Sequence, residues 1–321
     1  MRSGSVSLTG ATGFLGGHIA DACRRRGWTV RAIVRPGNRK PVPGDVDVRE
    51  AALASPEALA AAFEGCDAVI HTAGLVRTAR PDAFQHVNVD GTRAVVEAAN
   101  MVQARLVHVS SLAAMGTGTV DRPVREDDPP RPVNAYGRSK LAAEEVVRDT
   151  ATVPWIILRP CAVYGPGDRG FLPLARLARR GLFPLATAAS TPFSFVYADD
   201  VAEAVARALE SSVSDDAVFV AHARSHTAEA LLRSLAHELA QPYSPLRVPR
   251  VLLRAAAAAG DLQWLTGRAP WLDRSRLAEL SAEGFVCDVS RARERLGFVA
   301  SVDLSEGLHR TVRWYRERGW L

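Results

Sequence analysis

Ser5-Val6-Ser7-Leu8 runs straight into Thr9-Gly10-Ala11-Thr12-Gly13-Phe14-Leu15-Gly16, and the reading of this stretch decides the fold. The first segment, short and largely apolar with β-branched content, reads as a strand. Beyond the glycines, Gly17 to Arg26 carries Ile19, Ala20 and Cys23 at helical spacing. A strand, a glycine turn and a helix N-terminus together make an anion site, because backbone N–H groups point outward and the helix dipole favours a pyrophosphate. Gly10 allows the turn, Gly13 lets the backbone approach the phosphates, and Gly16 lets helix and strand pack closely. Thr12, Phe14 and Leu15 fill out the expected dinucleotide-contacting loop.

A second strand, Thr29 to Val34, ends in Arg35. A site for NAD places a carboxylate near this point to hold the ribose 2′-hydroxyl. No acidic residue lies between Trp28 and Pro43; Arg35, Arg39 and Lys40 stand there instead. Cationic charge suits a 2′-phosphate, so NADP is favoured, with NAD as the alternative. Arg39 and Lys40 read as a solvated loop, which leaves Arg35 as the residue that matters. Asp67 to Gly74 is a buried strand entering a small-residue turn, where Ala73 and Gly74 let the backbone lie near the cofactor. His71 reads as a strand-end histidine. Asn88 reads either as a brace for the site's backbone or as a helix-surface amide.

The coarse order is strand 4–9, helix 14–26, strand 29–34, strand near 46–48, helix 56–64, strand 68–71, helix 82–101, strand 105–110, helix 135–149 and strand 154–159. This alternation predicts an α/β fold, a doubly wound parallel (Rossmann) sheet. Residues 1–165 form the dinucleotide-binding domain, with returns to the sheet expected near 191–222, at 193–197 and 217–221. The remainder, 166–321, supplies mainly a smaller, helical substrate-binding lobe built from about 166–190 and 223–321. No internal repeat or low-complexity linker is evident.

The reactive centre is read at Ser111, Tyr136 and Lys140. Positions i and i+4 share a helix face, so Tyr136 and Lys140 point the same way. A phenol with its ordinary pKa near 10 is a poor acid–base group at neutral pH, and a nearby ammonium is expected to lower it. Of the 40 basic residues only Lys40 and Lys140 are lysines, so a lysine at 140 marks a place where arginine does not serve. Ser111 follows the strand at 105–109, and its hydroxyl is placed to orient a substrate oxygen.

With these residues in hand the chain resembles the extended short-chain dehydrogenase/reductases, the NAD-dependent epimerase/dehydratase group, over nearly its whole length. Thr9–Gly16 is similar to the family's T-G-x-x-G-x-x-G, and Ser110-Ser111 with Gly116 to its S-S-x-x-x-x-G, which puts the catalytic serine at 111. Leu158-Arg159-Pro160 through Gly167-Asp168, and Phe195 to Val201, resemble later family stretches, the first of which places Pro160 beside the cofactor. By that resemblance Tyr136 moves the hydroxyl proton, Ser111 holds the same oxygen, and Lys140 lowers the phenol and grips the ribose. The departures bear on substrate. Ala162 and Phe193 stand where nucleotide-sugar enzymes carry Asn and Arg for a diphosphate, Leu112-Ala113 where dehydratases carry Asp-Glu, and Ala52 where an Asp near the adenine is usual. With Val163, residues 162 and 193 are the expected substrate-side positions.

The resemblance then points to the 3β-hydroxysteroid dehydrogenase and dihydroflavonol-reductase-like branch. The expected activity is hydride transfer between NAD(P) and a secondary alcohol or ketone on an apolar, steroid-, flavonoid- or isoprenoid-like skeleton. The alternatives are a nucleotide-sugar epimerase and a non-catalytic NAD(P)-binding sensor or subunit. Net charge is +5, but the arginines are scattered among acids and form no aromatic-interleaved stripe, so no nucleic-acid partner is expected. Four dispersed cysteines match no metal spacing and read as reduced thiols, so no metal is expected. No secretory signal is visible, and Val248–Leu265, broken by Arg250, Arg254 and Asp261, is too interrupted for a transmembrane segment. A cytoplasmic homodimer paired through the helices at 82–101 and 135–149 is expected, by fold analogy.

Overall fold

A computed structural model describes residues 4–42, 44, 46–266, 270 and 272–321. Its strands are β1 Ser5–Thr9, β2 Thr29–Val34, β3 Asp47–Glu50, β4 Ala68–His71, β5 Arg105–Val109, β6 Trp155–Pro160, β7 Ala162–Tyr164, β8 Phe183–Leu185, β9 Pro192–Phe193, β10 Phe195–Tyr197, β11 Asp216–Val220, β12 His226–Thr227 and β13 Pro245–Arg247. The helices are α1 Phe14–Arg25, α2 Pro56–Phe63, α3 Pro81–Phe84, α4 Gly91–Val102, α5 Ala135–Thr150, α6 Leu172–Arg179, α7 Ala198–Glu210, α8 Ala228–Glu238, α9 Arg250–Gln263, α10 Arg274–Leu280, α11 Ser290–Leu296 and α12 Leu304–Glu317.

Seven strands form one parallel sheet in the order β11-β6-β5-β4-β1-β2-β3. Strands such as Ala68–His71 and Trp155–Pro160 are buried along their whole length, as a sheet covered on both faces requires. One face packs under α1 and α7, the other under α2, α4 and α5. The chain runs β1-β2-β3 outward in one direction, then returns to the centre and runs β4-β5-β6 in the other. This reversal opens a crevice at the C-terminal ends of β1 and β4, the place where such sheets bind ligands.

Of the two expected returns to the sheet, one is met and one is corrected. Residues 216–220 do join the sheet, as the edge strand β11 beside β6. Residues 193–197 do not: β9 pairs antiparallel with β12, and β10 pairs with β7, in two-stranded ribbons outside it. Their aromatic side chains explain the difference, since Phe193 stacks on Phe285 and Phe195 meets Tyr164, at the junction with the C-terminal region. Conversely, α11 and the following Phe298 and Ala300 pack into the main core rather than standing in a separate lobe. The helix expected over 82–101 is also not uniform. A π-turn at Gln85–Asp90 separates α3 from α4 and turns Asn88 and Val89 inward.

The site-bearing part of the sheet is fastened by a buried carboxylate. Glu144 on α5, fully buried, takes two bonds from the equally buried Arg159 of β6 (Nη2 at 2.7 Å, Nε at 3.0 Å). It also accepts from Arg148 at 2.8 Å and from the Ser110 hydroxyl at 2.6 Å. Burial opposes the charge on Glu144, but the Arg159 bond and its companions overcome it and hold the carboxyl below its ordinary range. Breaking one side of such a pair leaves an uncompensated buried charge. Glu144→Ala should therefore lower the unfolding free energy by about 3–5 kcal/mol, measured by urea denaturation, whereas a Glu144→Leu/Arg159→Met pair should recover most of that loss.

Candidate active site

The glycine turn sits at the crevice. Gly10 has φ +80°, and a Cβ there would meet the Thr72 hydroxyl and the Ala73 amide at 2.6 and 2.7 Å. Gly16 lies against the turn so closely that a Cβ would fall 2.2 Å from the Gly10 carbonyl oxygen. The N-terminus of α1 has no side-chain cap and no acidic residue in its first turn, so its orphan N–H groups are left for an anion. Gly13 is exposed at that end, with Thr12, Phe14 and Leu15 half-exposed beside it. This uncapped cradle fits the pyrophosphate of a dinucleotide. Arg35 projects exposed from the end of β2 without a side-chain partner among the described residues, and Ala52 is exposed near the end of β3.

Beneath the turn, Thr9 bonds His71 Nδ1 at 2.7 Å and His71 Nε2 meets Thr92 at 3.0 Å. Burial holds His71 down to about 3, so it stays neutral and serves as a spacer between β1, β4 and α4. Asn88 is the brace rather than a surface amide. Its Oδ1 accepts from Leu75 N–H at 2.7 Å, while its Nδ2 donates to the Leu75 carbonyl and to Ser139 at 2.9 and 2.8 Å.

Ser111, Tyr136 and Lys140 are brought together. The two serines diverge: Ser110 turns inward to Glu144, and the Ser111 hydroxyl stands beside the Tyr136 phenol. Asn134 caps α5 through its bond from Gly137 N–H at 2.8 Å, which fixes the first turn and hence Tyr136. Lys140, buried, donates to the Val109 carbonyl at 2.8 Å, and burial pulls its ammonium down to about 8. The expected lowering of the phenol by Lys140 is not what this arrangement gives. Burial pushes Tyr136 up to about 12, the Ser111 bond opposes this, and the ammonium is occupied by the strand carbonyl.

Sequence reasoning missed the far wall. A solvent-open cleft of about 420 Å³ is lined by Val76, Arg77, Phe84, Asn134, Arg276 and Glu279, among others. Phe84 packs 6.2 Å from the Tyr136 ring, and Asn134 Nδ2 donates to Glu279 at 2.6 Å. Arg77 pairs with Asp273 at 3.3 Å. Burial lowers Arg276 and raises Glu279. Of the expected substrate-side residues, Ala162 is exposed on β7, Val163 packs on the main core, and Phe193 stacks on Phe285; none lines this cleft. Pro160, buried, ends β6. The signal that was available is Asp273, an N-cap whose side chain accepts from Arg276 N–H and so starts α10, but nothing local ties that helix to Asn134.

Residues 6–221 match the model of the NAD dependent epimerase/dehydratase family. The chain belongs to that family. It is an enzyme of the NAD-dependent short-chain dehydrogenase/reductase type. It is 32% identical over 323 residues to the ceramide reductase of Caulobacter vibrioides, covering 99% of this chain and 96% of that protein. It is 28% identical to the 4-hydroxy-2-methyl-3-oxo-4-farnesyl-3,4-dihydroquinoline-1-oxide ketoreductase of Stigmatella aurantiaca, covering 94% and 93%. Among solved structures, MoeE5 in complex with UDP-glucuronic acid and NAD superposes with a TM-score of 0.75 at 25% identity, covering 98% of this chain and all of that one. For this epimerase/dehydratase-family chain, Gly16→Ala should force the Gly10 carbonyl out of place and weaken dinucleotide binding at least about tenfold (~1.4 kcal/mol), measured by NAD(P)H fluorescence titration.

Proposed function

We propose that the chain is an NADP-dependent oxidoreductase acting on a secondary alcohol or ketone carried by an apolar, lipid- or isoprenoid-like skeleton. The observation that carries this reading is the convergence of Ser111, Tyr136 and Lys140 at the open end of the sheet, a phosphate cradle on the same edge. The ceramide and farnesyl-quinoline substrates named for two relatives support the substrate class. The residues that would hold the cofactor are the Gly10–Gly16 turn, Arg35, Ala73, Pro160, Tyr136 and Lys140. When bound, the nicotinamide supplies or accepts the hydride.

The protein's own part is proton transfer and orientation. Ser111 holds the substrate oxygen against the phenol, and Tyr136 gives its proton to that oxygen in reduction or takes it in oxidation. Lys140, held by its bond to the Val109 carbonyl, would offer its remaining donors to the ribose. Four free, buried cysteines suit a reducing compartment, in keeping with a cytoplasmic location. Among the described residues no helix is long and apolar enough to cross a membrane. A homodimer would form through α4 and α5, which pack side by side, with Met101 exposed on the first.

A nucleotide-sugar epimerase is the second reading, favoured by Arg77 and Arg276 in the cleft. It should show interconversion of UDP-sugars with no net cofactor turnover, where the proposed reductase consumes NADPH with a hydrophobic ketone. NADPH should bind about tenfold more tightly than NADH (~1.4 kcal/mol), and Arg35→Asp should erase the difference; equal binding of NADH would overturn the NADP assignment. Tyr136→Phe should remove most turnover yet keep cofactor affinity, which a mere NADP-binding protein would not register. With the free phenol raised to about 12, Tyr136 is protonated at neutral pH. Ketone reduction should accordingly stay level from about pH 6 to 8, and alcohol oxidation should climb by nearly tenfold per pH unit.

A further inference from the structure

The outer face of α9 lacks the polar side chains that a water-facing helix carries. Leu253, Ala257 and Gly260 bury one side against the 270–280 region. On the opposite side Val251, Leu252, Ala255, Ala256, Ala259 and Leu262 are turned outward, Val251 being 73% and Leu262 66% exposed. A soluble helix places charge there. From Leu239 to Gly260 the sequence contains no acidic residue and three arginines, Arg247, Arg250 and Arg254. All three are exposed and, among the described residues, none forms an ion pair, unlike Arg26, Arg207 and Arg291 elsewhere on the molecule. Exposed Leu246 lies on β13, which pairs with β8; the end of α6 and the turn before β8 add exposed Leu182 and exposed Arg179 and Arg180, neither of which forms an ion pair among the described residues.

Arg250 opens α9, whose first turn has no acid and no side-chain cap. A cation at that end is disfavoured by the helix dipole, so Arg250 does not serve the helix itself. We infer that this face is a docking surface for an anionic lipid bilayer, with the apolar residues entering the headgroup boundary and the five arginines meeting lipid phosphates. Charge complementarity selects a bilayer over a second copy of the chain, which would set this basic patch against itself. The surface is one helix from the cleft: α9 packs on α10, which carries Arg276 and Glu279. A membrane-bound enzyme would thus draw an apolar substrate from the bilayer, which deepens the substrate reading above.

Co-sedimentation with vesicles tests the inference. The wild type should sediment with phosphatidylcholine–phosphatidylglycerol vesicles, be released by salt, and ignore pure phosphatidylcholine. Arg247→Gln/Arg250→Gln/Arg254→Gln should lose roughly a hundredfold in vesicle affinity, from about a fivefold loss per arginine, and Val251→Gln/Leu252→Gln should lose at least about tenfold. Both variants should keep the wild-type NADPH affinity and melting temperature. Absence of vesicle binding by the wild type, or unchanged binding by both variants, overturns the inference. So does a dimer, seen by sedimentation velocity, that dissociates in Val251→Gln/Leu252→Gln. Vesicle binding by a protein that reduces no hydrophobic ketone leaves the surface standing and counts against the substrate reading instead.

Discussion

A single buried carboxylate sets the geometry on which the rest of this molecule depends. Glu144 ties α5 to β6 through Arg159 and to the end of β5 through Ser110. Those three elements carry Tyr136 and Lys140, Pro160, and Ser111 in turn. A charge taken out of water is costly unless its partners are in place, so the arrangement tolerates little drift. By occupying Ser110, Glu144 also leaves only the second serine free to face the phenol. The polarity of the Ser-Ser pair is thereby decided from below, by a residue wholly buried in the protein.

Much of this was legible because the signals are local. The glycine turn, the alternation of apolar strands with helices, and the i, i+4 spacing of Tyr136 and Lys140 each follow from backbone geometry within a few residues. The strands β1, β2, β4, β5 and β6 lie within a residue or so of where the pattern puts them. What escaped involves partners far apart in sequence. Glu144 is four residues beyond Lys140 on the same helix face, a visible clue, yet its meaning appears only with Arg159 set inside an otherwise apolar strand. Residues 193–197 carry strand-like aromatics, and only their contacts with Phe285 and Tyr164 show that they leave the sheet. The π-turn that buries Asn88 has no periodic signature at all.

The tuning of the reactive groups was the other illegible part. From sequence, a lysine one turn from a tyrosine implies a lowered phenol. In the fold, desolvation acts on both groups at once, pushing the phenol up and the ammonium down. The larger effect is burial, and proximity on the helix face does not outweigh it while the ammonium is bonded to Val109. The charged wall of the cleft was likewise hidden, because Arg276 and Glu279 reach the site from the last quarter of the chain.

That reach has a consequence for the order in which the molecule is made. The bond from Asn134 to Glu279 spans 145 residues, while the sheet needs nothing beyond β11 at Asp216–Val220 to complete its strand set. A nascent chain emerging from the ribosome therefore has every strand of the sheet well before the residue that clasps the start of α5 exists. Sheet assembly can run ahead of site assembly, and the cleft gains its last wall only when synthesis is nearly finished.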